Sequence, residues 1–202
     1  MTMDRRFTLA LIAPVALMTL SGCGINSIPT ADENVKARWA DVQNQYQRRA
    51  DLIPNLVNTV KGYAQQESQV LTQVTEARAK ASSIQVNADD LSDPAKLQQF
   101  GAAQAQLGQS LGRLLATVEA YPDLKSNQNF LTLQSQLEGT ENRITIARQD
   151  YNAAVQAYNT RIRTFPDMIG AKVIYGAEPK VPFEATAPNA EQAPTVDFGN
   201  GQ

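Results

Sequence analysis

The sequence predicts an all-α protein, folded as an antiparallel up-and-down bundle of three long helices. Apolar residues recur at alternating steps of four and three residues along three long stretches, which is the period of a helix that buries one seam. Short polar breaks that contain proline separate these stretches. Connections of this length favour antiparallel packing of neighbouring helices.

The first predicted helix begins near Asp32 and ends near Ile84. Its seam has fifteen positions from Val35 onward, of which thirteen are apolar. Pro54 removes one backbone donor from this helix, yet the seam keeps its phase across the proline, which favours a kink. A break near Asp51, which could cap a segment that starts at the proline, is the alternative and would give four helices.

The second predicted helix runs from Ser92 to about Ala120, with Pro94 at an early helical position where a missing N–H costs little. The third runs from about Ser126 to Thr164. Because the first helix is longer than the second, its N-terminal part either projects as a stalk or pairs mainly with the third helix.

Residues 1–22 are predicted to form a lipoprotein signal peptide. Basic residues precede an apolar run from Phe7 to Leu20, and its 14 residues are fewer than the about 20 that a spanning helix needs. The run ends in Leu20-Ser21-Gly22-Cys23, which resembles a bacterial lipobox and contains the one cysteine of the chain. We predict cleavage between Gly22 and Cys23 and lipidation of Cys23; an ordinary signal peptide with an incidental cysteine is the alternative.

Lipidation would hold the mature chain on a membrane. Two or three acyl chains, at about 0.8 kcal/mol for each buried CH₂, anchor a protein durably where one chain does not. Gly24, and not aspartate, follows the lipidated position. This favours the outer membrane over the inner membrane, with the protein facing the periplasm. In a cell without an outer membrane, the protein would lie on the outer side of the plasma membrane.

The composition argues against several classes of function. The chain contains no histidine and one cysteine, which removes the commonest general base and any cysteine-cluster metal site. Di-metal sites in helical bundles use Glu-x-x-His pairs, so we predict no metal and no cofactor. A net charge of -2 argues against a nucleic-acid partner. No phosphate-binding loop or nucleophile elbow is present, and we predict that the protein is not an enzyme.

Three stretches carry a resemblance to a known family. They are WADVQNQYQRRADLIPNLV (39–57), EAYPDLKSNQNF (119–130) and LQSQLEGTENRITIARQDYNAAVQAYNTRIRTFP (133–166). Together they resemble the LemA family of bacterial membrane-associated proteins. The resemblance implies an all-helical up-and-down bundle behind an N-terminal transmembrane helix, in whose place this sequence has a lipobox. It implies no established biochemical activity.

The predicted domain organisation has four parts. Residues 1–22 are the signal peptide and residues 23–32 are a tether. The LemA-like helical bundle covers residues 33–175. Four prolines mark residues 176–202 as an extended or disordered tail.

Polar side chains on the first and third predicted helices are the candidate site. Arg49 lies on the seam, where a buried guanidinium needs a partner, so we expect Arg49 or Arg48 to pair with Glu138 or Glu141. The pairs Tyr151-Asn152 and Tyr158-Asn159 recur seven residues apart and line one face. The full set is Arg48, Arg49, Asp51, Glu138, Glu141, Arg143, Arg148, Asn152 and Asn159. We interpret it as a structural polar layer that fixes helix register; a recognition surface is the alternative.

These observations predict a lipid-anchored helical scaffold or adaptor at the periplasmic face of an envelope membrane. Its partners would be envelope proteins, and it would carry out no chemistry of its own. A module that binds peptidoglycan or another envelope polymer is the alternative.

Overall fold

A computed structural model describes residues 26–184 of the chain. It contains no strand in this range, which confirms the predicted all-α class. The predicted signal peptide, Cys23 and residues 185–202 lie outside the described residues. The helices are α1 (Ser27–Lys61), α2 (Ser68–Ser83), α3 (Pro94–Val118), the short α4 (Pro122–Lys125), α5 (Gln128–Arg161) and the short α6 (Asp167–Gly170).

The four long helices form an antiparallel up-and-down bundle. Helices α1 and α5 pack along their whole lengths, from Arg161 against Ser27 at one end to Asn127 against Tyr63 at the other. Helix α2 folds back along the second half of α1, and α3 runs antiparallel to α2. The N-terminal part of α1 therefore pairs with α5 and does not project as a stalk.

The first predicted helix is two helices, and the break lies at residues 62–67. Helix α1 ends at Lys61, a single 3-10 turn covers Gln65–Glu67, and α2 then begins at Ser68. The prediction of one continuous helix was wrong. Both α1 and α2 turn an apolar face to the same core, so the spacing of apolar residues continues unchanged although the chain reverses direction between them. The alternative break near Asp51 was also wrong, since α1 continues through Pro54.

Helix α1 continues through Pro54 because α2 supplies the missing hydrogen bond. A proline has no N–H, so the carbonyl four residues earlier, that of Ala50, loses its helical donor. The Nε atom of Arg78 donates to this carbonyl oxygen at 2.7 Å. Ala50 is buried, where an unpaired carbonyl would be costly.

The core nearest the start of α1 is aromatic. Trp39 packs against Phe100 and Tyr151, with ring centroids 5.5 and 5.3 Å apart. Phe183 stacks on Trp39 from outside the four long helices, at 6.2 Å. Toward the Lys61 end the core becomes aliphatic, and its fully buried side chains include Ile53, Leu56, Val60, Leu107, Leu114 and Leu124.

Residues 177–184, which we call the C-terminal segment, are extended and packed on the bundle. Gly176, with a φ of 55°, turns the chain out of the last helical turn in a backbone conformation that suits glycine. Phe183 is only 7% exposed. The predicted boundary at residue 175 is therefore too early: the segment looks unstructured from its prolines alone, but the bundle holds it as far as Glu184.

Candidate functional site

A polar layer formed by Arg49, Gln104 and Glu141 crosses the middle of the bundle. Arg49 is 4% exposed. Its Nη1 atom donates to Glu141 Oε1 at 2.6 Å, which is one of the pairings that we expected. Its Nη2 atom donates to the carbonyl oxygen of Gln104 at 3.1 Å and to the side-chain Oε1 atom at 2.6 Å. Gln104 was not among the predicted site residues, although a glutamine among the apolar seam residues of α3 was a signal.

The electrostatics of the polar layer fit a structural role. The Glu141 side chain is 50% exposed, so water still solvates the acid while the guanidinium is covered. The guanidinium also lies 5.1 Å from the ring of Tyr46. Burial raises the pKa of Tyr46, while the nearby cations Arg148 and Arg49 oppose this rise. The layer therefore places an ion-paired guanidinium in the core of the bundle.

Four other candidate residues lie apart from the polar layer on exposed helix surfaces: Arg48, Asp51, Glu138 and Arg143. Asp51 accepts a hydrogen bond from Gln47, and Glu138 accepts one from Gln134, each within its own helix. The structure therefore does not bring the full predicted set together into one layer.

The two predicted asparagines bind the C-terminal segment. The side-chain amide of Asn159 donates to the Lys180 carbonyl at 2.7 Å and accepts from the Lys180 N–H at 2.8 Å. Asn152 does the same with Phe183, at 2.9 and 2.7 Å. Seven helical residues rise by about 10.5 Å and three extended residues by about 10 Å. The two amides therefore match the spacing of the two backbone sites.

Four further contacts hold the C-terminal segment on the bundle. The Tyr151 hydroxyl donates to the Val181 carbonyl, and the Val181 N–H donates to the Leu91 carbonyl, both at 2.8 Å. Arg148 donates to the Glu184 carbonyl at 2.8 Å and lies 4.3 Å from the Phe183 ring centroid. Arg148 therefore binds this segment, and it also lies close to Tyr46 beside the polar layer. The repeated Tyr-Asn pairs were the sequence signal for this site, although its extended ligand was not foreseen.

A groove of about 680 Å³ runs between α3 and the C-terminal segment. Small residues form its floor on the α3 side, including Gly101, Ala102 and Ala105. Three glutamines line it, and Glu184 is its one titratable side chain among the described residues. The described lining of the groove therefore combines small side chains, glutamine amides and one carboxylate.

An exposed apolar surface, which we call the end patch, covers the end of the bundle where α1 begins. Its members are 40–79% exposed and follow the end of α5: Phe165, Ile169, Val173, Ile174 and Tyr175. The Ser27 hydroxyl donates to the Asp167 carboxylate at 2.7 Å, which fixes this part of the chain beside the start of α1.

Residues 26–184 contain neither a cluster of metal-ligand side chains nor a helix that could cross a membrane. No three histidine, cysteine, aspartate or glutamate side chains in this range converge on a point where a metal ion could bind. No helix in the same range combines the length and the apolar character needed to cross a bilayer.

The chain is similar to proteins of one bacterial family. Magnetosome protein MamQ 2 of Paramagnetospirillum magneticum is 28% identical over 174 aligned residues, which cover 78% of this chain and 64% of that protein. Magnetosome protein MamQ of Magnetospirillum gryphiswaldense is 26% identical with the same coverage. Protein LemA of Metamycoplasma hominis is 27% identical over 124 residues, which cover 61% of this chain and 52% of that protein.

The chain spans less than two thirds of the length of these curated relatives. The model of the LemA family matches residues 38–198, which include both the polar layer and the C-terminal segment and make up well over half of the chain. The chain therefore belongs to the LemA family.

Proposed function

We propose that this protein is a lipid-anchored helical scaffold or adaptor of an envelope membrane, facing the periplasm and without catalytic activity. The observation that supports this proposal most directly is the groove between α3 and the C-terminal segment. It is large enough for a peptide chain, and Glu184 is its one titratable side chain within the described residues.

The lining of the groove favours a protein partner. Exposed Gln98 and Gln109 offer amides that both donate and accept hydrogen bonds, as a peptide backbone requires. The side-chain oxygen of Gln106 accepts a hydrogen bond from Lys80. The small side chains of α3 allow a partner chain to approach closely. One wall is the C-terminal segment. Its backbone groups at Lys180, Val181 and Phe183 are hydrogen-bonded to the bundle, so the wall is held in place before a partner binds.

The anchor is the second part of the proposal. The motif Leu20-Ser21-Gly22-Cys23 carries it, and Gly24 in place of aspartate favours the outer membrane. Cys23→Ala should abolish incorporation of labelled palmitate and release the protein from membrane fractions. Gly24→Asp, which keeps the cysteine, should remain lipidated and move toward the inner membrane. The anchor proposal fails if the wild type takes up no palmitate and Cys23→Ala still fractionates with membranes.

Photo-crosslinking in intact cells tests the scaffold role. A photoreactive amino acid at Ala102, inside the groove, should capture discrete envelope proteins. The same amino acid at Gln136, an exposed position on α5 outside the groove, is the matched control and should not capture them.

Sedimentation with purified cell wall tests the alternative. A scaffold or adaptor should remain in the supernatant unless a partner protein is supplied. Binding of the purified protein to bare peptidoglycan, with no protein captured at Ala102, would favour the polymer-binding module instead.

A further inference from the structure

The end patch concentrates exposed apolar surface at one end of the bundle. Five of the eight large apolar side chains that are exposed among the described residues lie between Phe165 and Tyr175. Single exposed apolar residues are ordinary on soluble proteins, whereas a cluster of this kind marks an interaction surface.

The end patch is held firmly in place. Asp167 accepts a hydrogen bond from Ser27 and lies 3.7 Å from the guanidinium of Arg161. Ala171, within the same stretch, is 1% exposed, and Ile162, just before it, is 6% exposed. The apolar side chains therefore project from a packed support.

The patch lies beside the point where the predicted anchor joins the bundle. The described chain begins at Asn26, at the same end of the bundle, and Cys23 is three residues earlier. Three residues span at most about 11 Å, even when fully extended. A lipid on Cys23 would therefore bring the start of α1, and with it the end patch, to the membrane surface.

We propose that the end patch lies in the headgroup region of the membrane and holds the bundle upright on it; this inference rests on the lipid anchor proposed above. Phe165 and Tyr175 are aromatic residues of the kind that are enriched at membrane interfaces. Exposed Lys172 lies within this stretch of the chain, and anionic headgroups attract basic side chains. Peripheral elements insert by about 5–10 Å, a depth that the side chains of one helical turn can reach.

The upright orientation places the rest of the molecule at a defined height. Helix α1 has 35 residues and is about 52 Å long at about 1.5 Å per residue. The Lys61 end is therefore far from the lipid, and the long axis of the groove runs away from the membrane.

Spin labelling of the full lipidated protein tests the inference. Val173→Cys introduces a unique thiol, because the sulfur of Cys23 is used in the lipid thioether. The label is studied in vesicles of phosphatidylethanolamine and phosphatidylglycerol. The measured quantity is the ratio of the label's collision rate with oxygen to its collision rate with a water-soluble nickel chelate. We expect this ratio to be severalfold higher for the label at position 173 than for a label on Tyr63→Cys. Tyr63 is exposed at the opposite end of the bundle and is the matched control. Adding Ile174→Glu should lower the ratio at position 173.

The experiment distinguishes failure of the membrane contact from failure of the lipid anchor, because the mass of the same sample shows whether Cys23 is acylated. An acylated protein whose label at position 173 behaves like the label at position 63 overturns the membrane contact and leaves the anchor intact. Dipolar broadening between labels at position 173 shows that the patch binds a second copy, which also overturns the contact. An unmodified Cys23 overturns both proposals.

Discussion

The Nε atom of Arg78 lies 2.7 Å from the carbonyl oxygen of Ala50, the acceptor that Pro54 leaves without a helical donor. Removing the guanidinium by Arg78→Ala should leave this buried carbonyl unpaired and lower the free energy of unfolding by about 1–3 kcal/mol. Urea denaturation followed by circular dichroism measures the change.

A double-mutant cycle with Pro54→Ala tests the cause of that loss. The alanine restores an N–H to position 54, so Arg78→Ala should then cost at least about 1 kcal/mol less. Arg113→Ala removes an arginine whose bond to Gln73 is exposed, and it should change stability by less than about 0.5 kcal/mol. An equal cost of Arg78→Ala in both backgrounds would contradict the explanation.

Phe183→Ala should detach the end of the C-terminal segment. The ring contacts Trp39, Tyr46 and Phe100, and truncation of a buried phenylalanine costs about 3–5 kcal/mol. Amide hydrogen exchange should accelerate at the backbone N–H of position 183 and at that of Lys180. Phe165→Ala is the control, since this ring is 77% exposed, and we expect a change of less than about 0.5 kcal/mol. Unchanged exchange in Phe183→Ala would show that the asparagine bonds hold the segment without the ring.

Arg49→Met should destabilise the bundle by about 1–3 kcal/mol, because it removes the donors that satisfy the buried oxygens of Gln104. Arg48→Met changes an exposed neighbour and should be nearly neutral. Unfolding, or a mixture of oligomers seen by light scattering, would support a structural role for the polar layer. A fully folded Arg49→Met protein that loses a crosslinked partner would instead make the layer part of a recognition surface.

The free energy of unfolding should fall in alkaline solution. Burial raises the pKa of Tyr151 above its ordinary value of 10.0, and the pKa values of Tyr46 and Tyr158 are also raised, mainly by burial. Above about pH 10 the unfolded chain therefore releases protons that the folded chain retains, so stability decreases as the pH rises.

Urea titrations at about pH 9 and about pH 11 measure this loss. Tyr151→Phe should reduce the difference between the two values, whereas Tyr175→Phe, at an exposed position, should not. A difference that is the same in wild type and in Tyr151→Phe would assign the alkaline loss to other groups.

The spacing of apolar residues predicted the helices and most of the core, because burial of one face leaves a direct trace in the sequence. Along α3 the apolar spacing predicted a seam whose positions are all buried: Leu97, Phe100, Gln104, Leu107, Leu111, Leu114 and Val118. The reversal after Lys61 left no comparable trace, since both α1 and α2 turn an apolar face to the same core. The only seam positions that indicate this reversal are those of Tyr63, which is exposed, and Glu67, which is charged.

The site was predicted in part for a related reason. Arg49 is a charge on an apolar seam, so its need for a partner is visible locally, and Glu141 was among the few carboxylates available. The binding of the C-terminal segment depends on contacts between residues that are at least 21 positions apart in the chain. The two asparagines seven residues apart are visible in the sequence as binding groups on α5. No pattern in the C-terminal segment identifies it as the part of the chain that they bind.

Trp39 is the one tryptophan of the chain, and its position gives the protein a built-in optical probe. The indole is 2% exposed, donates to the Val86 carbonyl at 2.9 Å, and contacts rings from α3, α5 and the C-terminal segment. Departure of the segment would therefore change the environment of the indole before the helices separate. Its emission can distinguish local release of the segment from global unfolding, without any added fluorophore.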